Sequence, residues 1–317
     1  MVDRLAVSAV DYHTAGEPFR IVSGGVPPLQ GATILEKRRF ARDHLDHVRR
    51  LLVHEPRGHA DMYGCFVVEP NDAGADLGVV FFHNEGYSTA CGHGTIALVT
   101  WALESGFVEA CEPEARVVVD VPSGRLEAWA RMEDGDVRAV RFRNVPAFVH
   151  SDGVAFGGAF YGSVEERVEP ADLPRLIALG REVKARLESD REIVHPLEPE
   201  LCGVYGVIFW QEEAAGPPLV QRNVTVFADG EVDRSPCGSG TSARLALLHA
   251  DGRLAVGDEL LHRSIIGSEF RARIVEETEV AGLPAVVTEV EGSAHLTGSH
   301  AFVLEPEDEL GLGFLLR

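Results

Sequence analysis

Residues 91–106, CGHGTIALVTWALESG, and residues 237–252, CGSGTSARLALLHADG, are two copies of one segment. Each opens on Cys-Gly, places Gly-Thr three and four steps after the Cys, and places Gly fifteen steps on. Each follows an apolar, strand-like run that ends at Phe81 or Phe227, ten residues before its Cys. Two matched thiols in two matched settings imply two halves that face one site. That arrangement suits chemistry at one carbon from opposite faces.

The duplication extends outward. Residues 36–54 place Leu45, Val48 and Leu52 at helical spacing, with Arg and His opposite. Residues 171–188 do the same with Leu176, Leu179, Val183 and Leu187, and Asp172 is expected as their N-cap. The helices after Cys91 and Cys237 are apolar nearly all round, so they are expected to be buried. Gly106 and Gly252 end them. VVVDV at 117–121, RAVRFRNV at 138–145, GVYGVIFW at 203–210 and AVVTEVEG at 285–292 read as short strands. A buried helix among short strands implies a sheet curled around a helix, once per half, which removes the sheet's open edges. The boundary between halves is expected near 145–153. This divides the chain into a lobe 1–148 that carries Cys91 and a lobe 149–299 that carries Cys237. The tail 300–317 is expected to return to the first lobe.

Bulk properties exclude several classes. The chain has 317 residues, enough for two domains, with the apolar and charged content of a globular protein. Its net charge of −21 argues against nucleic acid, which calls for a basic stripe. The opening MVDRLAVSAVDYHTAGEP carries Asp3 and no long apolar run, so no signal peptide is expected. No stretch approaches the roughly eighteen apolar residues of a membrane span. Five cysteines (Cys65, Cys91, Cys111, Cys202 and Cys237) form an odd, sparse set, which fits a reduced, cytoplasmic protein. There is no CxxC pair and no HExxH, so no metal is expected.

A Cys at the start of a helix meets free N–H groups and the positive end of the macrodipole. That favours thiolate by roughly 0.3–1 kcal/mol. Burial acts the other way, so the expected state is a poised thiol, fit to take or give a proton. Gly92, Gly94, Gly238 and Gly240 let the backbone approach a ligand, and successive N–H groups there form an anion nest. Two opposed nests would hold one carboxylate with its α-carbon between the sulfurs. Deprotonating that carbon needs preformed donors for the developing charge. No cofactor is required. Cys65, Cys111 and Cys202 lack this setting and read as packing or surface residues.

With CGHGT and DRSPCGSGTSA in view, the chain resembles the proline racemase family, which includes proline racemase, 4-hydroxyproline 2-epimerase and trans-3-hydroxyproline dehydratase. HTAGEP at 13–18, EPRGHADMYG at 55–64, HNEGYSTACGHGTIAL at 83–98, SIIGSEF at 264–270 and HLTGSHAFVLEP from 295 extend the resemblance nearly end to end. It implies an α+β, diaminopimelate-epimerase-like fold, with two pseudo-symmetric domains that each wrap a β-barrel around a central helix. It also implies roles. Cys91 and Cys237 match the acid/base thiols, and His93 and Asp233 match the pair at the ring nitrogen. The backbone of Gly92, His93, Gly238 and Ser239 matches the carboxylate cradle. Tyr63 and Phe227 match aromatic walls. For His13, Glu17, Arg57 and His59, a site role and a network beneath the site remain alternatives.

The second thiol separates branches of this family. Dehydratases that resemble the chain typically carry Thr at the position of Cys237, whereas inversion needs a base on one face and an acid on the other. HNEGYST and Ala90 lean toward the dehydratase branch. The Cys pair lies closest to the chemistry. The expectation is therefore a cofactor-independent 4-hydroxyproline 2-epimerase, or proline racemase, acting on a small imino acid as a monomer or homodimer. Trans-3-hydroxy-L-proline dehydratase is the alternative. A thiol hydrolase pairing Cys91 with His93, and a non-catalytic imino-acid-binding module, are rival classes.

Overall fold

The computed structural model describes residues 5–190 and 192–316; Asp3, used above in reading the amino terminus, and Arg317, the last residue of the tail, lie outside them. The first half runs β1 (Leu5–Thr14), β2 (Glu17–Gly24), α1 (Ile34–His44), α2 (Asp46–Val53), β3 (Tyr63–Val68), β4 (Leu77–His83), α3 (Gly92–Glu104), β5 (Glu114–Val121), β6 (Gly124–Glu133) and β7 (Asp136–Arg143). The second runs β8 (Ala147–Ser151), β9 (Val154–Phe156), β10 (Phe160–Glu165), α4 (Leu173–Asp190), β11 (Val204–Ala214), β12 (Leu219–Phe227), β13 (Glu231–Asp233), α5 (Gly238–Ala250), β14 (Glu259–Ser264), β15 (Glu269–Val280), β16 (Leu283–Gly292) and β17 (Ala294–Leu304).

The halves repeat one wiring. β2 and β3 are parallel across α1 and α2, β3 and β4 form a hairpin, and β4 and β5 are parallel across α3. Likewise β10 and β11 are parallel across α4, β11 and β12 form a hairpin, and β12 and β14 are parallel across α5. Antiparallel strands complete each set, β5–β6–β7 and β14–β15–β16. β16 also pairs with β8, so β8–β9–β10–β11–β12–β14–β15–β16 closes into a ring. β7 pairs with β16, and β17 pairs with β1 along its length, so the chain closes the first ring as it passes from β16 to β17.

Each ring holds one helix. α3 packs on β1, β2 and β7, and α5 packs on β8, β15 and β16. Gly92–Leu103 and Gly238–Leu248 are buried on every side, which is why their sequences show no polar face. Gly106 and Gly252 follow the helix ends at φ +72° and +68°, where a side chain would be strained.

Two local expectations change. The pattern at 36–54 is broken at Leu45, whose N–H closes α1 on Ala41 while its own carbonyl starts α2. α1 buries only Ile34, Lys37 and Ala41, whereas α2 buries Val48, Arg49, Leu51, Leu52 and Val53, so the two segments need different orientations. Arg49 fixes α2 by bonding Asp46 and the His83 and Asn84 carbonyls. Asp172 is not a cap. It sits in a 3-10 turn, Pro170–Asp172, and accepts from Arg167 at 2.6 Å. Among the described residues, no helix is long and apolar enough to cross a membrane.

Candidate active site

The starts of α3 and α5 meet head to head. A Cβ on Gly92 would lie 2.4 Å from the Gly238 Cα, and one on Gly238 would lie 2.7 Å from the Gly92 Cα. Glycine is required at both because backbone faces backbone. Cys91 and Cys237 are the residues just before these glycines, so the close approach brings both thiols to one place. They line one cavity with Tyr63, Ala90, Gly92, His93, Tyr161, Tyr205, Phe227, Asp233 and Ser239. Of the residues expected at the site, Gly238 alone does not line it; it backs the cavity through its contact with Gly92. The cavity measures about 10 Å3, room for about one water molecule. An imino acid therefore enters only if the walls part.

The matched thiols do not sit alike. Cys91 caps α3 in extended conformation (φ −154°), and its Sγ accepts from the Gly94 N–H at 3.3 Å. Cys237 starts α5 at φ +61°, a left-handed conformation that costs a side-chain-bearing residue on the order of 1 kcal/mol. Its N–H donates to Ser235 Oγ at 3.1 Å, and its thiol donates to Tyr161 Oη at 3.9 Å.

The expected poised thiols are corrected by burial. Each cysteine is 5% exposed. Burial pushes the Cys91 thiol well above its ordinary range, with the Asp233 carboxylate adding to the rise and the Gly94 N–H opposing it. Burial, with Asp233, pushes Cys237 up to about 12. The helix ends do not outweigh these effects, so both groups are pushed toward the protonated thiol.

Asp233 and His93 stand together. Asp233 Oδ1 accepts the Ser235 N–H at 2.8 Å, and its Oδ2 lies 3.7 Å from His93 Nδ1. The imidazole Nε2 is 3.4 Å from Cys91 Sγ. Thr14 holds the His93 carbonyl at 2.9 Å, and the rings of Tyr63 and Phe19 meet the imidazole edge-on. Ser239 Oγ bonds Tyr161 Oη at 2.7 Å. Glu17 is wholly buried beneath Asp233. Burial and that carboxylate push it well above the usual range, against the Arg234 N–H and guanidinium at 2.8 and 2.9 Å. His13, Arg57 and His59 stay outside the cavity. Arg57 donates to the Gly311 and Val303 carbonyls, His13 packs on His295, and His59 bonds Ala60.

Tyr161 and Tyr205 line the cavity without belonging to any segment that the sequence reading marks as a site. A signal for Tyr205 was present: MYGCFVV at 62–68 and VYGVIFW at 204–210 are counterparts in the duplication. They form β3 and β11, and their tyrosine hydroxyls meet across the halves at 2.9 Å. Tyr205 also stacks on Phe227, at 5.4 Å and 14°. Tyr161 carried no such mark, because its strand β10 has no repeated motif.

Residues 9–315 match the family model described as proline racemase. The trans-3-hydroxy-L-proline dehydratase of Bacillus thuringiensis subsp. konkukian (strain 97-27) is 44% identical, over 98% of this chain and 98% of its own. The 3-hydroxyproline 2-epimerase of Burkholderia multivorans (strain ATCC 17616 / 249) is 45% identical, over 98% of each chain. Among solved structures, a hydroxyproline epimerase from Agrobacterium vitis with bound trans-4-OH-L-proline superposes with a TM-score of 0.92 at 33% identity, covering 100% of this chain and 97% of that one.

Proposed function

The chain belongs to the proline racemase family, and within it we propose that this protein inverts the α-carbon of a hydroxyproline with two thiols and no cofactor. The observation that carries the reading is the convergence of Cys91 and Cys237 on one cavity at the touching starts of α3 and α5. The free N–H groups at Gly92, His93, Gly238 and Ser239 take the carboxylate. Asp233, with His93, takes the ring ammonium, and Tyr63 and Phe227 flank the ring. A cation beside Asp233 offsets the part of the rise that this carboxylate adds to burial, so substrate binding itself brings the base closer to reach. One thiolate takes the α-proton and becomes a thiol. The opposing thiol gives its proton to the carbanion's other face and becomes the thiolate. The reverse reaction exchanges the two roles.

The ring hydroxyl expected at C4 from sequence moves to C3 in this proposal, because the 45% relative is named for 3-hydroxyproline. A second reading, dehydration of trans-3-hydroxy-L-proline, is favoured by the name of the 44% relative and by HNEGYST before Cys91. There a thiolate takes the α-proton, the C3–O bond breaks, and a thiol proton converts the leaving hydroxide to water. The enamine product then tautomerises to a cyclic imine.

The test incubates the protein in heavy water with trans-3-hydroxyproline, trans-4-hydroxyproline and proline. Epimerisation gives α-deuterium with inverted configuration, and dehydration gives an imine. Cys91→Ser and Cys237→Ser should each slow inversion by about 100-fold or more. Full inversion in either variant would refute the two-thiol reading.

A further inference from the structure

The cavity has an outward end. A larger cavity of about 480 Å3 lies beside it, lined in part by Arg38, Ser88, Lys184, Glu188 and Tyr205. Tyr205 lines both spaces, while neither thiol nor either helix start reaches the larger one. With the carboxylate at the helix starts, the ring extends toward the end of the cavity that Tyr205 lines, where C3 and its substituent come within reach of the Tyr205 hydroxyl.

Hydrogen-bond direction at this end is settled by counting protons. Ser88 Oγ donates its one hydrogen to the Ala90 carbonyl at 3.3 Å. The short contact between Tyr63 Oη and Ser88 Oγ is therefore donated by Tyr63. Tyr63 has no further hydrogen, so the 2.9 Å contact between the two tyrosines is donated by Tyr205. The chain runs Tyr205 to Tyr63 to Ser88 to a carbonyl. Among the described residues, Tyr205 is the one cavity tyrosine with a single hydrogen bond; Tyr63 has two, and Tyr161 is bonded by Ser239 and the Cys237 thiol. Its hydrogen is committed and its lone pairs are open.

We propose that Tyr205 is the specificity residue of this site, with its Oη accepting a hydrogen bond from the ring hydroxyl of the substrate. This deepens the two-thiol reading and rests on it. The arrangement selects a ring substituent that donates. A ring without a hydroxyl leaves the Tyr205 oxygen facing an apolar edge in a closed site, and a site built to bond a substrate hydroxyl rejects such an analogue.

The experiment compares wild type with Tyr205→Phe, measuring α-hydrogen exchange in heavy water on proline and on the hydroxyproline isomer that wild type uses best. The ratio of kcat/KM, hydroxyproline over proline, should fall about 5- to 100-fold in Tyr205→Phe. A ratio within twofold of wild type overturns the assignment. If Tyr205 met the ring ammonium instead, both substrates would suffer alike and the ratio would hold, which also overturns it. A second measurement needs no variant. The fluoroproline of matching ring position and configuration carries a substituent that cannot donate, so as a competitive inhibitor of wild type it should bind no better than proline. Binding as tight as the hydroxyproline overturns the proposal. Absence of exchange with every imino acid in wild type would instead overturn the two-thiol reading, so the two failures are distinct.

Discussion

Adding one methyl group between the two helix starts tests how tightly the site is set. In Gly238→Ala the new Cβ would lie 2.7 Å from the Gly92 Cα, 3.2 Å from the Gly92 carbonyl carbon and 3.2 Å from Phe142 Cζ. Carbon atoms rest at about 3.5–4.0 Å, so the helix starts must separate by about 1 Å. A shift of Phe142 alone cannot relieve the clash, since the closest atom is the Gly92 Cα and both helices are buried in closed rings. Overpacking of this kind costs about 1–3 kcal/mol. The helix propensity of Ala over Gly returns about 1 kcal/mol, so the net loss of stability is about 0–2 kcal/mol. Activity should respond far more. The thiols are the residues just before these glycines, and a displacement of about 1 Å at reacting groups costs on the order of 100-fold. The assay pairs a thermal melt with the rate of α-deuterium incorporation. The expected result is a folded protein with a rate about 100-fold lower, and Gly92→Ala should do the same from the other side. A folded Gly238→Ala protein that exchanges within threefold of wild type would refute the claim that this contact sets the thiol spacing.

Other perturbations follow from the same geometry. The Cys237 pKa is raised from 9.0 to about 12 in the folded state, so the folded protein holds this proton where the unfolded chain has lost it. The stabilisation is complete below pH 9 and is lost as pH rises toward 12, by about 1.4 kcal/mol per pH unit. Thermal melts at pH 8 and pH 10.5 should show wild type losing about 2 kcal/mol more than Cys237→Ser; equal losses would contradict a buried thiol. Asp233→Asn removes the carboxylate that raises both thiols. Iodoacetamide should then alkylate them at lower pH than in wild type, while KM for the imino acid rises about 10-fold or more as the ammonium loses its partner. Arg234→Met removes a donor from Glu17, whose carboxyl burial already pushes up, and from Asp61. Urea unfolding should show a loss of about 1–3 kcal/mol; no loss would mean the pair is not structural.

Much of the site was legible because duplication is a sequence property. The paired Cys-Gly segments revealed two buried helices, two thiols and the glycines that let them meet, and the structure brings Cys91, His93, Asp233, Cys237, Tyr63 and Phe227 to one cavity. Tyr205 could have been read from the repeated Tyr-Gly of β3 and β11. Tyr161 could not, since its role comes from contacts with Ser239 and Cys237, more than seventy residues away in sequence. The break at Leu45 and the Arg167 bond of Asp172 were hidden for a similar reason. A helical pattern records which residues are apolar, whereas the packing of each turn depends on what lies against it.

By itself the sequence determined the duplicated α+β fold, the family, and which two cysteines open matched helices, because hydrophobic pattern and glycine placement are local and repeat along the chain. Only the tertiary structure decided the protonation of those cysteines, the unlike backbones beneath them and the direction of the tyrosine chain. Each of these depends on burial, charge and hydrogen-bond partners drawn from both halves. Asp233 raises both thiols although Cys91 lies 142 residues before it, and a pKa follows distance in space rather than along the chain.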